Sequence, residues 1–253
     1  MSAFTPAPGR APLLRQVAAQ AGMESRLMLR NGEQLLLAVV IPIIVLFGAV
    51  EAAKHVSVKL TASPVDVFTP GVLALAVMST AFTSLAIATG FERRYGVIKR
   101  LGASPLPRSG LLMGKVGGLL LVEVLQIAVL CVVAAFLGWS PAPGVAGAVL
   151  AVVVGTAAFA SLGLFLAGVL RAEATLAAAN LVYLLLLAGG AVVFPASSYG
   201  SAGSVLHWLP SGALGSGMRT SLVGAGFPGT SLLILAGWAL VGTVLTARTF
   251  TWE

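Results

Sequence analysis

Six long stretches of this chain carry almost no charge, and that fixes the medium in which it can fold. Gln34–Val50 is 17 residues between Glu33 and Glu51, and Val67–Phe91 is 25 residues between Asp66 and Glu92. Val116–Gly138 holds a single charge, Glu123. Gly144–Leu170, Ala174–Phe194 and Ser231–Ala247 hold none. A helix rises about 1.5 Å per residue, so about 20 residues cross a hydrocarbon core of roughly 30 Å. The runs are continuous rather than alternating, which excludes a β-barrel pattern. Backbone groups in lipid must be satisfied within the chain, and that leaves helices. The two 17-residue runs would be short spans.

Composition supports this reading. The 253 residues are 58% apolar and 9% charged, with a mean hydropathy of +1.01. That is too little polar side chain to coat a water-soluble domain, and too much apolar surface for disorder. Cys131 is the only cysteine, so no disulfide framework exists.

The cations set the orientation. Arg10, Arg15, Arg26 and Arg30 precede the first run, and Arg93, Arg94, Lys99, Arg100, Arg108 and Lys115 surround the loop between the second and third. With Arg171 and Arg248 they make 12 basic residues on one side, against Lys54, Lys59 and Arg219 on the other. The asymmetry predicts six spans with both termini in the cytoplasm. It also assigns the net charge of +7 to anionic lipid headgroups rather than nucleic acid. Arg outnumbers Lys 11 to 4 in a chain rich in Ala, Gly, Val and Leu, a composition that points to a bacterial plasma membrane.

The predicted organisation is therefore an all-α polytopic membrane protein. Residues 1–34 form a cytoplasmic segment, 35–247 a single transmembrane domain, and 248–253 a cytoplasmic tail. The spans are expected near 34–50, 67–91, 116–138, 144–170, 174–194 and 231–247. Residues 13–33 are expected to form an amphipathic interfacial helix. At about 100° per residue, Arg15, Arg26, Arg30 and Glu33 share one face, opposite Leu13, Leu14, Val17, Leu27 and Met28. Gln20 and Glu24 interrupt the apolar arc. Residues 195–230 hold one charge, Arg219, and are expected to form short re-entrant outer helices between spans five and six, with Trp208 as an interfacial anchor.

Few residues carry identifiable chemistry. Gly110-Leu111-Leu112-Met113-Gly114-Lys115 is one residue short of a phosphate-binding loop and runs on into Val116. His55 and His207 lack a ligand cluster, and there is no Gly-x-Ser-x-Gly elbow. The chain is thus expected to be no enzyme and to hold no metal or other cofactor. Glu123 inside span three is costly in lipid and must face protein or water. With Gln126 three residues on, it lines either a translocation path or dimer seam, or forms a satisfied structural pair. Asn180 and Tyr183 in span five have the same spacing and the same two readings. Lys115 is expected to snorkel, and Gly110-x-x-x-Gly114-x-x-x-Gly118 to pack a helix of this chain or of a second copy.

The cytoplasmic loop reads Glu92-Arg93-Arg94-Tyr95-Gly96-Val97-Ile98-Lys99-Arg100-Leu101-Gly102-Ala103-Ser104-Pro105-Leu106. A short helix is predicted from Glu92 to Leu101, ended by Gly102 and Pro105, with Ser109 capping the next span. By its charges alone the loop is either a topology signal or a docking knuckle. Its sequence, with Gly114-Lys115 after it, resembles the loop between spans two and three of ABC-2 type exporter permeases, among them the daunorubicin and multidrug-resistance type. The Gly189…Pro195 exit of span five and Leu209-Pro210 are similar to that family, whereas Ala196–Gly200 departs from it.

That resemblance implies the permease subunit of an ATP-binding-cassette exporter for an amphipathic small molecule or lipid-like substrate. It implies coupling to a separate nucleotide-binding ATPase, which holds ATP and Mg, through Glu92, Arg93, Arg94, Tyr95, Gly96, Lys99 and Arg100. It also implies a second permease subunit, either another copy of this chain in a homodimer or a sister permease. The alternative is a self-contained ion-coupled secondary transporter or channel.

Overall fold

A computed structural model of the chain describes residues 11–55, 62–102 and 106–250, with the backbone alone at 33–37, 102 and 108. Arg10, Lys59, Ala103, Ser104, Pro105 and residues 251–253 lie outside the described residues. Among those described the chain is all helix: α1 (Leu13–Arg30), α2 (Gly32–His55), α3 (Pro64–Met78), α4 (Leu85–Arg94), α5 (Val97–Gly102), α6 (Arg108–Phe136), α7 (Val145–Val169), α8 (Ala172–Gly189), α9 (Gly203–Leu206), α10 (Pro210–Leu222) and α11 (Gly229–Thr249). Six segments are long and apolar enough to cross a membrane. The protein is an all-α polytopic membrane protein.

The second span is the axis of the bundle. Its α3 and α4 are joined by a π-helical stretch, Ser79–Ser84, into one rod, Pro64–Arg94. Ser63 caps the rod by accepting from the Asp66 amide at 3.2 Å, and Pro64 takes the first turn, where no amide is needed. Asp66 then accepts from the Ser140 amide at 2.9 Å, tying the span three–four turn to the start of the rod. Around the rod pack α2, α7, α8 and α10, with α11 against α7. The core is small and tight: Phe68, Leu73, Leu75, Met78 and Phe159 are fully buried, with alanines and glycines between them. In lipid, close approach of small residues supplies the packing that the hydrophobic effect cannot.

Several boundaries differ from the sequence expectation. The helices that carry the first and last spans are 24 and 21 residues long, because each continues past its 17-residue apolar run into polar ends. Span five is shorter, ending at Gly189. Ala191 has a positive φ of 53°, and the chain through Phe194 is irregular. The amphipathic helix stops at Arg30, since Asn31 leaves helical geometry, and Glu33 belongs to α2. Ser109 does not cap span three; Pro107 occupies that position and Arg108 opens the helix.

Residues 195–230 form the short helices expected, but α10 is a core element rather than a surface one. Ten of its residues, from Pro210 to Leu222, are buried against α3, α7 and α11. Trp208 is exposed, and its carbonyl accepts from the Trp238 indole at 2.9 Å.

Candidate functional site

Both described ends of the chain lie on one face, with Leu13 beside Gly110 and Phe250 beneath Arg93. On that face span two ends in three consecutive charges. Successive side chains turn by about 100°, so neighbours on a helix point to different partners. Glu92 pairs with Lys115 of α6. Arg93 donates to the Ala167 and Leu170 carbonyls at the end of α7 and lies over the Phe250 ring. Those carbonyls are the ones a helix end leaves unpaired, and a cation suits them. Arg94 pairs with Glu173 in the first turn of α8.

The single helix expected over Glu92–Leu101 is in fact two. Gly96 sits at φ +68°, where a side chain would be strained, and separates α4 from α5. Glu92, Arg93 and Arg94 therefore belong to the span, and each is engaged within the chain. The knuckle itself is α5. Ile98 is fully buried beneath it, whereas Tyr95, Lys99 and Arg100 are exposed. The Arg100 guanidinium donates to the Tyr95 carbonyl at 3.0 Å and closes the turn.

Lys115 does not snorkel. Its ammonium is buried between Glu92 and Glu24 of α1, 3.0 Å from the latter. The Gln20 amide donates to Glu24 at 2.8 Å. Thus the polar notch in α1 is its packing face. The glycine ladder receives it: a Cβ at Gly114 would meet the Gln20 side chain, and one at Gly118 the Glu24 side chain. The ladder packs a helix of this same chain. Leu14 and Leu27 of α1 are left exposed.

Glu123 and Gln126 both point inward and are buried. Glu123 accepts from Thr156 at 2.7 Å, across to α7. Gln126 accepts from Thr80 at 2.8 Å and donates to the Ala38 carbonyl at 2.5 Å, joining α6 to spans two and one. Glu123 Oε1 is buried without a hydrogen-bond partner among the described residues.

Asn180 and Tyr183 are placed differently. They line a groove of about 500 Å³ between α2, the second span and α8. Tyr183 shares a hydrogen bond with Ser79. The π-helical stretch presents Ser79, Thr83 and Ser84 to the same groove, with Ile87 and Phe91 below them. A π-turn re-aims side chains within a helix and frequently marks a functional position. Nothing in the sequence pattern reveals it, since Ser-Thr-Ala-Phe-Thr-Ser also reads as plain helix.

Arg219, the one charge of the 195–230 segment, lies in α10. It is enclosed beneath α10, donating to the Ala191, Val192 and Val193 carbonyls at 2.9–3.3 Å. Enclosure lowers its pKa to about 10, which leaves it charged at neutral pH. It satisfies the irregular backbone after span five, which could not face lipid bare. Gly71 and Gly215 admit this arrangement, since a Cβ at either would strike the same carbonyls.

The sequence profile of the ABC-2 family transporter proteins matches residues 52–248. No curated protein matches the chain.

Proposed function

Because the chain belongs to the ABC-2 transporter family, we propose that it is the membrane permease subunit of a bacterial ATP-driven exporter, worked by a separate nucleotide-binding ATPase that carries ATP and Mg. The face holding both described ends of the chain is the cytoplasmic one, as the excess of cations there favours. The observation that carries the reading is the knuckle: a short helix anchored by buried Ile98, presenting Tyr95, Lys99 and Arg100 outward. Its root is braced to three other helices by Glu92, Arg93 and Arg94. Force applied to α5 reaches α6, α7 and α8 together.

The groove between spans one, two and five is the proposed route for an amphipathic or lipid-like cargo. It lies open along one side of the chain, and a second permease copy would close it. Movement of the knuckle reaches the groove directly, because Arg94 and Glu173 join α4 to α8 one turn beyond Phe91.

The test is affinity purification of the tagged chain from its own membranes. An ATPase bearing a phosphate loop should accompany it, and Lys99→Glu with Arg100→Glu should remove that partner while leaving the chain folded. Transport by the chain alone in ATP-free vesicles would instead identify an ion-coupled carrier or channel. So would a Lys99→Cys label that reacts only from outside the cell, since the knuckle could not then reach a cytoplasmic ATPase.

A further inference from the structure

The groove between α2, the second span and α8 is polar without a charged group among its described lining residues. Asn180, Thr83 and Ser84 offer amide and hydroxyl groups, and Ile41, Ile87 and Phe91 offer an apolar wall. Among the described residues that line it there is no carboxylate, guanidinium or ammonium. The Thr83 hydroxyl is shielded from solvent and has no hydrogen-bond partner among the described residues.

Three described carboxylates of the spans are engaged elsewhere. Glu123 is turned away to Thr156, Glu92 holds Lys115, and Glu173 holds Arg94. An ion entering this groove would lose its hydration shell and meet no counter-charge among the described residues that line it, which in a low-dielectric site is strongly unfavourable. A neutral hydroxyl or amide loses far less and finds partners waiting. The volume, about 500 Å³, suits a single small amphiphile.

We propose that this groove selects uncharged amphiphiles carrying hydroxyl or amide groups, and discriminates against permanently cationic or anionic ones. The inference rests on reading the groove as the transport route, and adds the charge class of the cargo.

Three fluorescent probes with one alkyl tail test it, with a glucoside, a trimethylammonium or a sulfonate head. Saturable binding is measured on the purified chain in nanodiscs. The glucoside should bind at least about tenfold more tightly than either charged probe, a difference of about 1.4 kcal/mol. Thr83→Val and Asn180→Leu should each weaken it by about two- to tenfold, the worth of one hydrogen bond. Thr83→Ser, which keeps the hydroxyl, should bind as the native chain does and controls for folding. Equal or tighter binding of the trimethylammonium probe would overturn the inference, as would binding that neither substitution changes. The ATPase partner is followed in the same preparations. Its absence would sink the exporter reading while leaving the selectivity result to stand on its own.

Discussion

Lys115 and Glu24 form a shielded ion pair 3.0 Å long between the third span and the amphipathic helix that precedes the first. Glu92 closes the other side of the ammonium, so one buried cation joins three segments far apart in sequence. The amphipathic helix is thereby part of the bundle wall on the face that carries the knuckle, and its position is linked to the root of the knuckle.

Replacing that cation exposes the dependence. Lys115→Met leaves two enclosed carboxylates without a counter-charge, which should destabilise the chain by about 3–5 kcal/mol. Thermal unfolding in detergent would measure it. Adding Glu24→Gln and Glu92→Gln removes the stranded charges, so the triple variant should recover much of the loss. A triple variant no more stable than Lys115→Met would mean that the charges are not the cause.

The glycine ladder should be intolerant on one side only. Gly118→Val drives a side chain into Glu24 and the Ala21 carbonyl, at a cost of about 1–3 kcal/mol. The expected result is release of α1, read as faster proteolysis after Arg26 or Arg30, with the six spans intact. Gly22 and Gly237 have open space around them, so alanine there should leave α1 docked.

Arg219 should behave as a backbone cap. Arg219→Leu removes donors from the Ala191, Val192 and Val193 carbonyls, and each stranded group costs about 1–3 kcal/mol. Hydrogen exchange should rise first in 190–194 and then in α10. Exchange that rises in α10 while 190–194 stays protected would contradict the cap.

Glu123 should be dispensable as a charge. It is sealed against Thr156 with no access to the groove. Glu123→Gln keeps a hydrogen-bonding group there and should change stability by less than about 1 kcal/mol, with transport retained. A transport defect without a stability defect would place it on the route after all.

The turn at Gly96 should act as the joint of the knuckle. Gly96→Ala must hold a side chain at φ +68°, costing about 1–2 kcal/mol. The expected consequence is weaker association with the ATPase while the six spans keep their thermal midpoint.

The places where the sequence misled share a cause. Lys115 was expected to snorkel because the charge pattern places it near a span end, and only the packing shows that it is enclosed, as Arg219 is beneath α10. Glu92 to Arg94 were read with the knuckle because they are contiguous with it; a single left-handed glycine divides them from it. The groove was half visible, in Asn180 and Tyr183, but its other wall depends on a π-turn with no pattern of its own.

What the sequence determined alone was the number of crossings, the all-helical class and the family. These follow from one-dimensional quantities: the length of uncharged runs, the sign of the charges between them, and a loop motif. Which polar side chains meet was decided only in three dimensions. Glu24 reaches Lys115 across 91 positions of sequence, and Thr80 reaches Gln126 across 46. In lipid an internal partner satisfies a polar group at any sequence separation, so the pairing is set by how the helices pack and not by where their residues fall along the chain.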